Sequence, residues 1–279
     1  MAHVSRSLGH LGKDRNNAEN PNFTIYQLKQ AHAGTQGHAP FIQNSMTAQE
    51  IRDRLRQLAD KEKAVTLQGF FRTGPGEYGE GDIFLGITVP KLRKLVKEYD
   101  GIPITETAKL LKSRIHEERL LALLMLVRAF SKGDSAAQQK IYNLYRQNTR
   151  YVNNWDLVDL SAPNIVGIYL LDKSREPLYE FAKSRELWKR RISIMATFSF
   201  IKQNEFDDAL IISKMLLVDD HDLVHKAVGW MLREIGKRSL SAEEKFLKQH
   251  YRKMPRTMLR YAIERFPEAK RRRYLNGSI

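Results

Sequence analysis

Apolar residues recur at spacings of three and four through most of the chain after residue 47, the pattern of amphipathic helices. The pattern is clearest in the segments 119–130, 141–145, 187–201, 206–217, 223–235 and 246–259. Turn-forming residues predict helix ends at 133–134, 172–173, 219–220 and 237–239. One long segment, 73–82, has no helical pattern. The predicted fold class is therefore all-α.

The first folded helix is predicted to begin at Thr47. Thr47 and Glu50 have the spacing of a capping box, in which each side chain binds the backbone N–H of the other residue. The preceding residues 1–45 hold four of the eight histidines and little apolar periodicity. We therefore predict that 1–45 is a flexible N-terminal arm or extension and that 46–279 is the folded domain.

The helices also carry an internal period. A cation followed by apolar residues occurs at Arg119, Arg191, Lys226 and Arg260, in steps of 72, 35 and 34 residues. Halving the first step places the missing member at Trp155. A period of about 35 residues in an all-helical chain is typical of solenoids built from helix pairs. The predicted architecture is a right-handed, HEAT-like α-α superhelix with a concave basic face.

Equivalent helices of a solenoid pack side by side, so residues in register lie on one surface. This register, with the positions four residues later, brings together Trp155, Asp159, Lys226 and Trp230 near Arg191. An acid in a basic groove opposes polyanion binding and indicates a role of its own. Two alternatives remain open: the tryptophans belong to the core, or Asp159 caps a helix or pairs with Arg191.

Composition narrows the choice of partners. The chain carries 47 Lys+Arg against 32 Asp+Glu, a net charge of +15, which favours nucleic acid first and an anionic membrane surface second; solubility alone is the alternative. The absence of cysteine excludes disulfides, a thiol nucleophile and cysteine-ligated metal centres. No apolar stretch reaches the roughly 18 residues that a membrane span needs.

Two other patterns do not support a site. The glycine-rich segment 74–81 lacks the Gly-Lys-Ser/Thr ending of a phosphate-binding loop and contains Glu77 and Glu80, so we interpret it as structural. His221 and His225 are four residues apart, but no acidic third ligand accompanies them, so no metal is expected.

Four separated segments, in order, resemble the AlkD-type DNA alkylation repair glycosylases. They are 70–82 (FFRTGPGEYGEGD, followed by FLGI and VP), 154–159 (NWDLVD), 187–191 (LWKRR) and 226–234 (KAVGWMLRE). The resemblance covers about residues 47–273. It implies a HEAT-like solenoid that holds duplex DNA in its concave face and hydrolyses the N-glycosidic bond of N3- or N7-alkylated purines, such as 3-methyladenine and 7-methylguanine, without a base-flipping pocket.

The resemblance also implies roles for individual residues. Trp155 and Trp230 match aromatic residues that contact the lesion-bearing backbone, Asp159 matches the catalytic acid, and Arg191 matches an arginine that holds the DNA. We add three further expected DNA contacts, Arg190, Lys226 and Arg233. No cofactor, metal, membrane or obligate protein partner is expected; the enzyme is expected to be monofunctional, monomeric, and cytoplasmic at the nucleoid. The alternative is a non-catalytic HEAT-like scaffold that binds nucleic acid or protein.

Overall fold

The computed structural model describes residues 46–279, and the predicted arm, 1–45, lies outside the described residues. The helices are α1 (Ala48–Gln57), α2 (Lys61–Phe70), α3 (Val89–Glu98), α4 (Ile104–Leu111), α5 (His116–Lys132), α6 (Ser135–Gln147), α7 (Trp155–Ala162), α8 (Glu176–Ala182), α9 (Leu187–Ala196), α10 (Phe198–Lys202), α11 (Asp207–Met215), α12 (Asp222–Gly236), α13 (Leu240–His250), α14 (Arg256–Ala262) and α15 (Glu268–Leu275). Within 46–279, β-type pairing is limited to an isolated bridge between Ile83 and Ile115. The predicted all-α class is confirmed.

One row of helices runs through the described chain. Helix α5 packs against α7, α7 against α9, α9 against α12, and α12 against α14. A second set packs on this row: α4 and α6 against α5, α8 against α9, and α11 and α13 against α12. The residues that defined the sequence period begin or lie within successive helices of the row. The predicted helical-repeat solenoid is therefore confirmed.

The predicted helix ends follow from local capping. The Thr47 hydroxyl accepts the Glu50 N–H at 3.3 Å, and Glu50 Oε2 accepts the Thr47 N–H at 2.7 Å, which completes the capping box. After the predicted break at 133–134, the Asp134 carboxylate accepts the Ala137 N–H at 2.8 Å and starts α6. The segment 73–82 is non-helical, as predicted.

Two segments predicted as continuous are each divided into two helices. In 187–201 the chain turns at Thr197, whose hydroxyl donates to the Ile194 carbonyl at 2.7 Å and so competes with the helical hydrogen bonds. In 246–259, α13 ends at His250 and α14 begins after Pro255. Proline disfavours helical backbone in the residue before it, and apolar periodicity does not record this effect.

Two glycines bring neighbouring elements of the row close together. A Cβ atom built on Gly229 of α12 would lie 2.4 Å from the Met258 carbonyl oxygen of α14. A Cβ atom built on Gly167 would lie 2.2 Å from the Ala196 carbonyl oxygen at the end of α9. Ordinary carbon–oxygen contacts are longer than 3 Å, so any side chain at either position would push the helices apart. No helix in the described part has the length and hydrophobicity required to cross a bilayer.

Candidate functional site

The site is centred on the first turns of α7. The side chain of Asn154 caps this helix by accepting the Trp155 N–H at 2.8 Å. Trp155 and Asp159 are four residues apart and therefore share one face of the helix. Both side chains are partly exposed, and 17% of the Asp159 side chain remains accessible. The Trp155 ring stacks on Phe71 at 5.2 Å between centroids and meets Phe70 edge-on at 6.0 Å.

Asp159 is bound by an arginine from the next helix of the row. Arg191 Nε donates to Asp159 Oδ1 at 2.9 Å, and Arg191 Nη2 donates to Oδ2 at 2.7 Å. The remaining nitrogen, Nη1, donates to the backbone carbonyl of Leu223. Burial raises the pKa of the Asp159 carboxyl, and the guanidinium charge opposes that shift. The structure therefore realises the pairing alternative for Asp159, while its catalytic role stays a prediction.

Trp230 lies on α12, on the far side of α9 from α7. Its Nε1 donates to Glu234 Oε1 at 3.2 Å, and its ring lies 6.5 Å from that of Phe198. The indole is half-buried, as is that of Trp155. Neither tryptophan is sealed in the core, so both retain a surface that a ligand can contact.

The three further cations expected to bind DNA each form an ion pair. The pairs are Arg190–Asp219 at 2.6 Å, Lys226–Asp222 at 2.6 Å, and Arg233–Glu264. Arg190 also donates to the carbonyl groups of residues 184 and 185. A phosphate contact by any of these cations requires sharing or exchanging its present carboxylate partner. Their DNA-binding roles stay predictions.

The predicted face differs from the structure at the start of the row. Arg119 is 2% exposed and donates to Asp82 Oδ1 at 2.6 Å, so it offers no accessible charge to a polyanion. Leu123 and Met195, in register with Asp159, belong to the core. By contrast, Arg260 at the other end of the row is exposed and has no ion-pair partner among residues 46–279.

A buried polar cluster beside Trp155 was missed in the sequence. His116 Nδ1 lies 3.1 Å from Asp82 Oδ2, and His116 Nε2 lies 2.8 Å from Asp156 Oδ2. Burial lowers the pKa of His116, but the two carboxylates outweigh it and raise the pKa to about 9. The available signal was the run His116 to Arg119, four polar residues at the start of an otherwise apolar helix.

The glycine-rich segment also contributes to the site. Tyr78 meets Trp188 edge-on at 6.2 Å, and its environment includes Trp155. Glu77 Oε2 accepts the Gly74 N–H at 3.0 Å, so this segment already has a carboxylate in the place where a phosphate-binding loop would hold its ligand. The segment that we interpret as structural therefore also places the half-buried ring of Tyr78 beside Trp188 and Trp155.

The two histidines of α12 and its N-terminus have structural partners. His221 Nδ1 accepts the Leu223 N–H at 3.1 Å, and His225 Nε2 is hydrogen-bonded to the Asp219 carbonyl. Burial lowers the pKa of His221. Within 46–279, no three His, Asp or Glu side chains are grouped in a way that would hold a metal ion.

The fold and site together define a helical-repeat protein with a partly exposed acid and one indole on α7, and a second indole on α12, two helices further along the row. Residues 51–266 match the family of DNA alkylation repair enzymes, and the chain belongs to that family. Its role is therefore in DNA repair, with DNA as the substrate.

A solved structure supports the fold. A predicted DNA alkylation repair enzyme from Enterococcus faecalis is similar over 75% of this chain and 97% of its own, with a TM-score of 0.60 and 15% identity. No curated protein matches the sequence.

Proposed function

We propose that the protein is an AlkD-type, monofunctional DNA glycosylase that removes N3- and N7-alkylated purines, including 3-methyladenine and 7-methylguanine, from duplex DNA. The observation that carries the proposal is the Asp159 carboxylate, which is partly exposed, held at two points by Arg191, and one helical turn from the half-buried indole of Trp155. Family membership supports a role in DNA repair, and the Asp159 carboxylate provides the negative charge that the proposed reaction needs.

The leaving group explains why so few residues are required. Alkylation at N3 or N7 gives the purine a positive charge. When the bond between C1′ and N9 breaks, its electron pair goes to the base, which leaves neutral, and the sugar becomes an oxocarbenium-like cation. Water then adds to C1′ and loses a proton. Because the base needs no protonation to leave, the reaction requires neither a general acid nor a pocket for an extruded base.

Asp159 is the group suited to this cation. A fixed negative charge stabilises the oxocarbenium-like state more than the ground state, and the same carboxylate orients the attacking water and accepts its proton. Burial raises the pKa of Asp159, which makes the carboxylate a stronger base than an exposed aspartate. The faces of Trp155 and Trp230 favour a nearby cation through their quadrupoles.

We propose two kinds of contribution from the cations. Arg190, Lys226 and Arg233 contact the DNA backbone after exchanging their carboxylate partners for phosphates. Arg191 matches a DNA-holding arginine by resemblance, but its burial, at 4% exposed, and its two-point contact with Asp159 favour a role in orienting that carboxylate. The protein acts as a monomer in the cytoplasm, at the nucleoid, without metal, cofactor or obligate protein partner.

The alternative function is a non-catalytic scaffold that binds nucleic acid or protein. It has the same fold and net charge as the enzyme. A scaffold has no use for Asp159, because the negative charge of this residue weakens the attraction of the surface for a polyanion. The two functions therefore differ in chemistry rather than in binding.

The deciding experiment incubates the full chain with methylated duplex DNA and separates the released bases by chromatography. An enzyme releases 3-methyladenine and 7-methylguanine above the spontaneous rate and leaves abasic sites with intact strands. A scaffold retards the same duplex on a gel but releases bases only at the rate seen without protein.

A further inference from the structure

We propose that His116, as an imidazolium held between Asp82 and Asp156, is a positioning residue that fixes the first turn of α7 and so sets the orientation of Trp155 beside the reacting sugar. The inference rests on the proposed function. It concerns a residue that is buried, at 1% exposed, and lies outside the pair formed by Asp159 and Trp155.

The geometry identifies the protonation state. His116 is 1% exposed, and each ring nitrogen faces a carboxylate oxygen, at 3.1 Å for Asp82 and 2.8 Å for Asp156. Carboxylates accept hydrogen bonds and do not donate them, so both ring nitrogens must carry a proton. The pKa of about 9 agrees with this state near neutral pH.

Asp82, His116 and Asp156, which together we call the clamp, join three elements of the fold. Asp82 ends the glycine-rich segment, His116 begins α5, and Asp156 is the second residue of α7. From α5, Arg119 Nη2 binds the other oxygen of Asp82 at 2.6 Å, while Asn154 Nδ2 lies 3.4 Å from Asp82 Oδ2. Two carboxylates and two cations thus face one another, and the cluster is neutral only when His116 is charged.

A stack of rings connects the same histidine to Trp155. The imidazole stacks on Phe84 at 4.4 Å and lies 5.0 Å from Phe71. Phe71 in turn stacks on Trp155 at 5.2 Å with an interplanar angle of 20°. The Trp155 indole is therefore held in two ways. Its ring packs on this stack, and the residue next to it, Asp156, is fixed by the ion pair with His116.

Deprotonation would release one side of the clamp. A neutral imidazole has a single N–H, so one of the two carboxylates would lose its donor. Asp156 is the more exposed, at 17% against 4% for Asp82, and water can replace the lost donor there. The first turn of α7 would then loosen. A displacement of about 1 Å at a reacting centre costs about 100-fold in rate.

The test compares His116→Asn and Asp156→Asn with a control, His250→Gln, at the half-buried last residue of α13. Single-turnover release of 7-methylguanine is measured at saturating enzyme across pH, with the enzyme-free rate subtracted. We expect the wild-type rate constant to fall as the pH rises through about 9. His116→Asn should be slower by about 100-fold at neutral pH and lack this alkaline fall, with DNA affinity unchanged. The control should match the wild type.

Two results would overturn the proposal: a folded His116→Asn variant with the wild-type rate constant, or an alkaline fall that persists in that variant. If His116→Asn does not fold, Asp156→Asn decides by the same criteria. A role in stability alone would lower the melting temperature of either variant without changing the rate constant of the folded enzyme, and this outcome also counts against positioning.

An NMR titration keeps the inference separate from the proposed function. In the wild type, the His116 ring should titrate near pH 9, and the indole N–H resonance of Trp155 should shift with the same midpoint while that of Trp230 does not. A ring that titrates near the ordinary value of about 6.5 refutes the clamp. If the wild type releases no base, the proposed function fails, and these resonances still decide whether His116 positions Trp155.

Discussion

The guanidinium of Arg191 and the carboxylate of Asp159 form a two-point ion pair across the contact between α7 and α9, with hydrogen bonds of 2.9 and 2.7 Å. The third nitrogen of Arg191 is held by the backbone of the next helix at Leu223. An arginine engaged in this way orients its carboxylate, and because Arg191 is only 4% exposed, its two remaining N–H groups are poorly accessible to a phosphate.

Asp159→Asn should reduce base release by about 100- to 1000-fold, because the amide is nearly isosteric but carries no charge to stabilise the sugar cation. Binding to methylated duplex should persist. Single-turnover release of 7-methylguanine measures the first effect and fluorescence anisotropy the second. Asp172→Asn, an exposed aspartate paired only with its neighbour Lys173, is the matched control. Release at the wild-type rate by Asp159→Asn would disprove the assignment of the catalytic acid.

Arg191→Lys should lower the rate of release while leaving the salt dependence of DNA binding unchanged. Lysine retains the charge but cannot make the two parallel hydrogen bonds that orient Asp159. The measurement is the slope of log Kd against log salt beside the single-turnover rate. If Arg191 instead binds a phosphate in the complex, a charge-removing variant such as Arg191→Gln would reduce the slope by about 0.9.

Gly229→Ala should destabilise the protein by about 1–3 kcal/mol, because the added methyl group would lie 2.4 Å from the Met258 carbonyl oxygen. Thermal unfolding should show a lower melting temperature. The matched control is Gly69→Ala in α2, where nothing lies within 4 Å of the added carbon and the better helix former should raise stability slightly. Equal melting temperatures for Gly229→Ala and the wild type would contradict the close approach of α12 and α14.

Glu243→Gln should make stability less dependent on pH. Glu243 is 2% exposed, and its Oε1 has no hydrogen-bond partner within residues 46–279; burial first, and then the charge of Glu244, raise its pKa to about 8. The folded state therefore keeps a proton that the unfolded chain releases near pH 4.5, so stability falls as the pH rises from 4.5 towards 8, by about 1.4 kcal/mol per unit.

Urea unfolding of Glu243→Gln and the wild type across that pH window measures this effect. The variant should gain stability relative to the wild type as the pH rises. Glu180→Gln, on an exposed glutamate, should show no such trend. Parallel pH curves for Glu243→Gln and the wild type would mean that Glu243 is ionised at neutral pH in the folded protein.

The sequence predicted the row of helices because a period of about 35 residues repeats in charge and hydrophobicity from Trp155 to Arg260. It also brought Asp159 near Arg191, since Arg191 is in register with Trp155 on the next helix of the row and Trp155 shares a helix face with Asp159. It did not reveal that Arg119 is buried, because the carboxylate that pairs with it, Asp82, lies 37 residues away in a non-repetitive segment. A repeating period predicts contacts between equivalent helices. It gives no information about contacts with a segment outside the repeat, such as the one that contains Asp82.

The same limit explains the missed histidine clamp. His116 meets Asp82 and Asp156 at separations of 34 and 40 residues, and the three belong to a loop, a helix start and another helix start. No spacing rule links such positions. The sequence did show polar residues, 116–119, where a buried helix begins. In the structure, their hydrogen-bond and ion-pair partners offset the cost of burying them.

The placement of Trp155, Asp159 with Arg191, and Trp230 on three successive helices has a mechanical consequence. The width of the gap between the indoles is set by the spacing of α7, α9 and α12, and the close approach of Gly167 to Ala196 at the end of α9 fixes one of these contacts. A change in the packing angle at this contact would change the distance between the two rings. The distance between the rings therefore depends on helix packing within the row and not on the position of a loop.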